Sequence, residues 1–231
     1  MGGTGIAIGE REAASALRWW LEAGVDIATQ EEARNWFERG SSAAPVEEPQ
    51  AEAPAPASLE TFHQWIAGSN APLFTGRSKP VLPQGVEGAE VMLLSEPPTR
   101  EDLASGLPIG GEAAELMDRM LAAIGMAGKA YSANLSCFPS ATPRLSPKDL
   151  DSCGESARRH VALAKPKRLL LLGDAPCRAV LGKPLLQARG HVHKVEGVRT
   201  VATFHPRQLL KRPSDKALAW KDLLLLTEET P

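Results

Sequence analysis

The sequence predicts an α/β protein: a three-layer α/β/α domain around a central parallel four-stranded sheet. Three observations carry this. From about residue 59 onward, short apolar runs alternate with amphipathic helical stretches, the order that gives a parallel sheet covered on both faces. Leu169–Leu172 form four consecutive leucines between basic residues and a Gly-Asp turn, the pattern of a strand buried on both faces. The strand ends carry Ser95-Glu96-Pro97-Pro98, Asn134 and His205-Pro206, where ligand sites of such sheets lie.

In chain order, residues 1–37 read as an N-terminal helical extension, with Ala13, Leu17, Trp20 and Leu21 at helical spacing and a break at Gly24. Trp19, Trp20 and Trp36 are expected to pack rather than stack on bases, because no basic residues interleave them. Residues 38–58 are rich in Ala, Pro, Ser and Glu, a linker composition. The main domain spans 59–231. LETFHQWIAG predicts a helix ended by Gly68, and Val91–Leu94 a short buried strand. EAAELMDRMLAAIGM predicts an amphipathic helix with Leu116, Met120 and Ile124 on one face. A second strand ends near Asn134. Ser146-Pro147 has the form of an N-cap followed by Pro in the first turn, opening a helix over about 148–164. After the leucine strand come a short helix at about 175–181, a strand in GVRTVATFHP and a closing helix in ALAWKDLLLL.

Composition narrows the function. Apolar residues make up 43% of the chain, enough for a core, and the formal net charge is -2. That near-neutral total alone argues against a nucleic-acid binder, but its distribution does not. Residues 158–221 hold 15 Lys or Arg against three acids, Asp174, Glu196 and Asp215, which points to a polyanion partner, DNA or RNA, over the alternative of a Lys/Arg-rich solvated face. No apolar run approaches membrane-spanning length. MGGTGIAIGE lacks a secretory n-region and h-region, and Ile6 stands where a myristoylation signal has Ser or Thr. Three cysteines make no disulfide framework, so a cytoplasmic protein is expected; a monomer is expected as well.

Several residues have chemistry to offer. His205 at a strand end can donate to developing negative charge; a structural histidine fits equally. Asn134 offers one acceptor and two donors, matching a nucleobase edge or a cap. Glu96 can orient water or stabilise a cationic sugar, or lie in a solvated turn. In PRQLLKRP, Leu209 and Leu210 stand between Arg207 and Lys211-Arg212. Apolar residues on a basic loop are what a base-flipping wedge requires, with the cations on phosphates; alternatively, one leucine anchors the loop. No metal site is expected. Cys137, Cys153 and Cys177 contain no C-x-x-C pair, and three thiols cannot complete a four-thiolate site. Phosphate-loop, dinucleotide-fingerprint and H-E-x-x-H motifs are absent.

Residues 59–227 resemble the bacterial and archaeal uracil-DNA glycosylases that carry a four-cysteine iron–sulfur cluster. The similarity is carried by ATFHPRQLLKRPSDKALAWKDLL and by ELMDRMLAAIGM; LRWWLEAGVD also resembles an extension found in some members. The resemblance implies hydrolysis of the N-glycosidic bond of uracil, or a related damaged base, in DNA. It implies Glu96, Asn134 and His205 as catalytic residues, Pro98 and Ile109 in the substrate pocket, and Arg207, Leu209, Leu210, Lys211 and Arg212 on DNA.

The departures from the family pattern are specific. Ser95-Glu96-Pro97-Pro98-Thr99 replaces a Gly-Glu-Ala-Pro-Gly motif. Ile109 in Pro108-Ile109-Gly110-Gly111 takes the place of a stacking aromatic ring, and Gln208 that of a loop tyrosine. Only Cys137 and Cys153 match cluster ligands, the first pair being replaced within IAGSNAPLFTG, so a complete [4Fe-4S] cluster is not expected. A catalytically degenerate DNA-binding or repair-accessory protein is the competing expectation, with a closed or misshaped pocket near Ile109.

Overall fold

The computed structural model describes residues 56–228, together with the helical residues Ser15, Arg18, Trp19 and Glu22. The chain divides into two units, Met1–Ala53 and Pro54–Pro231. Within the first, Trp19 is 66% exposed. The expectations for Trp20, Trp36 and the linker up to residue 55 lie outside the described residues.

The second unit is built on a five-stranded sheet. Helix α1 (Leu59–Ile66) precedes β1 (Val91–Ser95), α2 (Arg100–Ser105), α3 (Gly111–Ala123) and β2 (Ala130–Asn134). Helix α4 (Pro147–Ala164), β3 (Arg168–Leu172), α5 (Asp174–Leu181) and α6 (Leu185–Ala188) follow. The chain continues through β4 (Val192–Val195), β5 (Val198–Thr203), α7 (Pro206–Lys211), a 3₁₀ turn and α8 (Lys216–Thr227). The strand order is β2-β1-β3-β5-β4. Four strands are parallel, as the sequence predicts, but the count of four is corrected. HVHKV, unassigned in the sequence reading, forms β4, which pairs antiparallel with β5 at the edge. Its residues are mostly exposed, and it has no apolar run to announce it. Glu196-Gly197, both at positive φ, make the two-residue hairpin turn.

Period-2 alternation splits the strands between two apolar layers. Met92, Leu94, Leu169 and Leu171 pack with Ala157 and Val161 of α4 and with Cys177 of α5. Val91, Leu93, Leu170 and Leu172 pack with Met117 and Leu121 of α3 and with Leu223 and Leu226 of α8. The buried face of α3 is centred on Ala113, Met117 and Leu121. Leu116 and Met120, predicted on one face with Ile124, flank it half-buried. Helix α4 begins with a Ser146–Asp149 capping box and Pro147 in its first turn.

The sheet order sets the position of the site. From β1 the chain crosses to β2 on one side, and from β3 it crosses to β5 on the other. The connections diverge between β1 and β3, which makes the crevice at their carboxyl ends the switch point of the sheet.

Candidate active site

Glu96 leaves β1 at this crevice. Its Oε1 accepts the Asp174 backbone N–H at 3.2 Å, so the carboxylate lies at the N-terminus of α5, where unpaired N–H groups and the helix dipole favour negative charge. Gly173 makes the approach feasible. Its φ is +101°, and a Cβ there would stand 2.5 Å from Glu96 Oε1. Burial raises the Glu96 pKa, opposed by the Asp174 N–H and the Arg207 charge. A cleft of about 730 Å³ opens beside Glu96, lined by Pro97, Pro98, Pro139 and Pro143 and by Arg100, Arg144 and Arg178.

His205 caps α7, its Nδ1 accepting the Arg207 N–H at 3.0 Å. A ring nitrogen that accepts carries no proton, so the proton of the neutral ring sits on Nε2. Nε2 therefore donates to Ser95 Oγ, 2.9 Å away. Burial, reinforced by the Arg207 charge, pulls the His205 pKa down to about 3. The ring is a neutral donor at pH 7.

Asn134 ends β2 and is 7% exposed. Its Nδ2 donates to Glu96 O at 2.8 Å and Pro108 O at 2.9 Å. Reversing the amide would set its oxygen against two carbonyl oxygens, so this orientation is the stable one. Oδ1 is buried and has no hydrogen bond among the described residues. Asn134 thus holds the loop that follows β1 at both ends while keeping one acceptor unused.

Asp102, fully buried, is a site residue that the sequence reading missed. It accepts from Thr99 N and Oγ1, each at 2.8 Å, and from Gly110 N at 2.7 Å. Arg207 Nη1 lies 2.7 Å from its Oδ2. The Thr-x-x-Asp spacing of a capping box was its only signal; nothing local to it announced the ion pair with Arg207. Ser95 was likewise noted only as part of its motif.

The predicted site residues divide in two. Glu96 and Pro98 line the open cleft. Asn134, Ile109 and His205 lie behind it, and none of them lines it. Ile109 is 7% exposed and packs in the apolar layer under α3, so in this conformation it is a core residue and not part of an open pocket. Three of the residues assigned to DNA are engaged within the domain in this conformation. PRQLLK is helix α7 rather than an irregular loop. Leu209 is 1% exposed in the core, and Leu210 is half-buried against the layer holding Val91 and Leu223; the anchor reading describes Leu209, and neither side chain projects as a wedge. Arg207 is bound to Asp102 and is not available to phosphate in this conformation. Lys211 and Arg212 are exposed.

The basic segment also reads differently in three dimensions. Six of its cations, Lys165, Lys167, Arg168, Arg178, Arg189 and Arg207, pair with Glu87, Glu90, Asp174, Asp222 and Asp102. Most of these acids lie outside 158–221, so a linear count overstated the excess charge. Lys183, Lys194, Lys211, Arg212, Lys216 and Lys221 remain exposed.

The residues present do not fit an iron–sulfur cluster. Cys137 packs with Phe62, Ile66, Ala71 and Phe138, so the segment replacing the first cysteine pair supplies apolar side chains around it. Cys153 belongs to a different apolar cluster. Burial pushes both thiols up to about 12, opposite to the deprotonated state that ligation needs.

An open, mostly parallel sheet whose strand ends carry a helix-bound carboxylate, a buried histidine and a buried amide defines the class of α/β protein. Residues 82–224 match the family described as the Uracil DNA glycosylase superfamily, and the chain belongs to that superfamily. It is 28% identical over 141 residues to a type-4 uracil-DNA glycosylase of Archaeoglobus fulgidus, covering 56% of this chain and 71% of that protein. It is 26% identical over 151 residues to a type-4 uracil-DNA glycosylase of Thermotoga maritima, covering 63% and 79%. The chain is thus related to the type-4 enzymes. Among the described residues no helix is long and apolar enough to cross a membrane.

Proposed function

We propose that this chain hydrolyses the N-glycosidic bond of uracil, or of a related damaged base, in DNA, as a step of base excision repair. The observation that carries the reading is the donor state of His205. The ring is neutral, its tautomer is fixed by the Arg207 N–H, and Nε2–H is directed at the Ser95 hydroxyl at the end of β1. As the bond between C1′ and the base nitrogen breaks, its electron pair stays on the base and charge gathers on the ring carbonyls. A neutral donor held in a dry site stabilises that charge without first giving up a proton. Asn134 Oδ1 accepts a base N–H, and Glu96, held at the α5 N-terminus beside the cleft, orients the water that adds to C1′ or stabilises the cationic sugar. The products are the free base and an abasic site.

DNA binding is supported by superfamily membership and by the cleft beside Glu96. Arg100 and Arg144 are exposed there, with Lys211 and Arg212 exposed on and after α7, so the phosphate contacts of the reading rest on these four cations.

A second reading, a DNA-binding accessory protein without base excision, is favoured by one observation. Ile109, Asn134 and His205 are all buried, and none of them lines the open cleft beside Glu96. Labelled oligonucleotides with one uracil, single-stranded or opposite guanine, followed by alkali, separate the two. Cleavage that is lost in His205→Ala and Asn134→Ala supports the enzyme. No cleavage, with salt-sensitive DNA binding retained, supports the accessory protein.

A further inference from the structure

We propose that the Ser95 hydroxyl, rather than the His205 ring, is the group that touches the carbonyl oxygen of the excised base. His205 acts through it as a positioning residue. The inference rests on the glycosylase reading above and deepens it.

Ser95 and Asn134 are register partners on adjacent parallel strands, so their side chains leave the sheet on the same face. Ser95 is fully buried. Its Oγ makes one hydrogen bond among the described residues, to His205 Nε2 at 2.9 Å. Because Nδ1 accepts from the Arg207 N–H, Nε2 must be the donor in that bond, and the Ser95 oxygen the acceptor. The hydroxyl proton is left over. On the neighbouring strand Asn134 Oδ1 is a buried acceptor, also left over. One unused donor and one unused acceptor thus lie side by side, and they do not bond to each other.

Buried polar groups without partners are costly, and each calls for a partner that the protein itself does not supply, an ordered water or a ligand. A lactam edge, a ring carbonyl next to a ring N–H, satisfies both at once. Its oxygen accepts from Ser95, and its N–H donates to Asn134. Uracil carries such an edge, and so do other oxidised or deaminated bases with a –CO–NH– unit. The bond from His205 polarises the Ser95 hydroxyl and strengthens it as a donor. No proton changes owner. The charge left by the departing C1′–N electron pair is met by the Ser95 O–H, one bond further from the ring than a direct histidine contact. The motif departure that put serine at position 95 becomes the element that extends the reach of His205.

Two measurements on the full chain test this. Single-turnover release of uracil from a single-stranded oligonucleotide is followed for the native protein and for Ser95→Ala, Ser95→Gly and Ser95→Cys. Retention of free labelled uracil is measured by equilibrium dialysis on the same proteins, with thermal melts reporting folding. Cysteine keeps the size of serine but donates weakly, so it serves where the smaller residues disturb the strand. The expected result is a loss of release of about 100-fold in Ala and Gly, in the range for removing one donor to developing charge, and at least about 10-fold in Cys with the melt unchanged. Native release with equal or faster release by Ser95→Gly overturns the proposal, because Ser95 then obstructs His205, while the glycosylase reading stands. No native release, with uracil retained by the native protein and lost in Ser95→Cys, overturns the glycosylase reading and keeps the Ser95 contact. Neither release nor retention overturns both.

Discussion

Arg207 Nη1 lies 2.7 Å from Asp102 Oδ2, with the aspartate fully buried and the arginine side chain 18% exposed. The pair ties the start of α7, directly after His205, to the loop that carries Glu96, Ile109 and Gly110. Thr99 and Gly110 supply the remaining hydrogen bonds to the carboxylate. Arg207 Nη1 also donates to Thr99 Oγ1 at 3.1 Å, so two of the elements that hold the site residues are fastened to each other through this one guanidinium.

Breaking this pair strands a buried charge. Arg207→Ala is expected to destabilise the fold by about 3–5 kcal/mol, the range for removing one partner of a buried ion pair. Asp102→Asn, which keeps the shape and removes the charge, is expected to cost less. Urea unfolding of the two variants checks the order; equal and small effects contradict it.

DNA contacts should follow exposure rather than sequence position. Lys211→Ala and Arg212→Ala are each expected to lower the slope of log affinity against log salt by about 1, the signature of one lost phosphate contact. In the conformation with Arg207 bound to Asp102, an Arg207→Lys protein that remains folded is expected to keep the native slope. Binding titrations over a range of salt concentrations read all three.

Histidine burial makes stability fall in mild acid. Burial holds His205 and His160 to about 3, with the Arg207 charge and His63 respectively adding to the effect, while in the unfolded chain both titrate near 6.5. Between those values the unfolded state binds more protons. Stability is therefore full above about pH 6.5 and is lost as pH falls toward 3. Each histidine is expected to contribute about 2 kcal/mol of this loss at pH 5. His160, which bonds to the buried Tyr131 hydroxyl at 2.7 Å, is the one to remove. His160→Gln is expected to flatten the change in melting temperature between pH 7 and pH 5 by about half. An unchanged pH dependence contradicts the account.

Gly173→Ala tests the seat of Glu96. The new Cβ would sit at φ +101° and 2.5 Å from the carboxylate, so the side chain must leave the α5 N-terminus. A stability loss of about 1–3 kcal/mol is expected from the strained backbone. Base excision is expected to fall with it and to stay low at temperatures where the variant is fully folded. Full activity in a folded variant would place Glu96 outside the chemistry.

What was legible in the sequence was what repeats along it. Leu169–Leu172 and Val91–Leu94 declared their strands because both faces are apolar, and Ser146-Pro147 declared the start of α4 through local capping chemistry. Strand ends at Asn134 and before His205 followed from the same pattern. What was not legible depends on partners distant in the chain. The antiparallel edge strand β4 has exposed, mixed side chains and no periodic signal. Ser95 and His205 are 110 positions apart, and Asp102 and Arg207 are 105 apart, so neither pair leaves a local trace. Arg207 and Leu209 read as a basic, apolar loop because the helix and the buried aspartate that absorb them could not be seen. The cations of residues 158–221 read as a surplus for the same reason, their acids being supplied from other segments.

The most direct test of the central claim is hydrolysis itself. Oligonucleotide carrying isotopically labelled uracil is incubated with the protein in ¹⁸O-enriched water, and free base and abasic strand are quantified by mass spectrometry. The expected result is free uracil in equal amount to abasic strand, with ¹⁸O in the sugar product, and loss of both in His205→Ala. DNA that is bound but yields neither uracil nor abasic strand contradicts the claim and leaves the chain a member of the superfamily that binds without cutting.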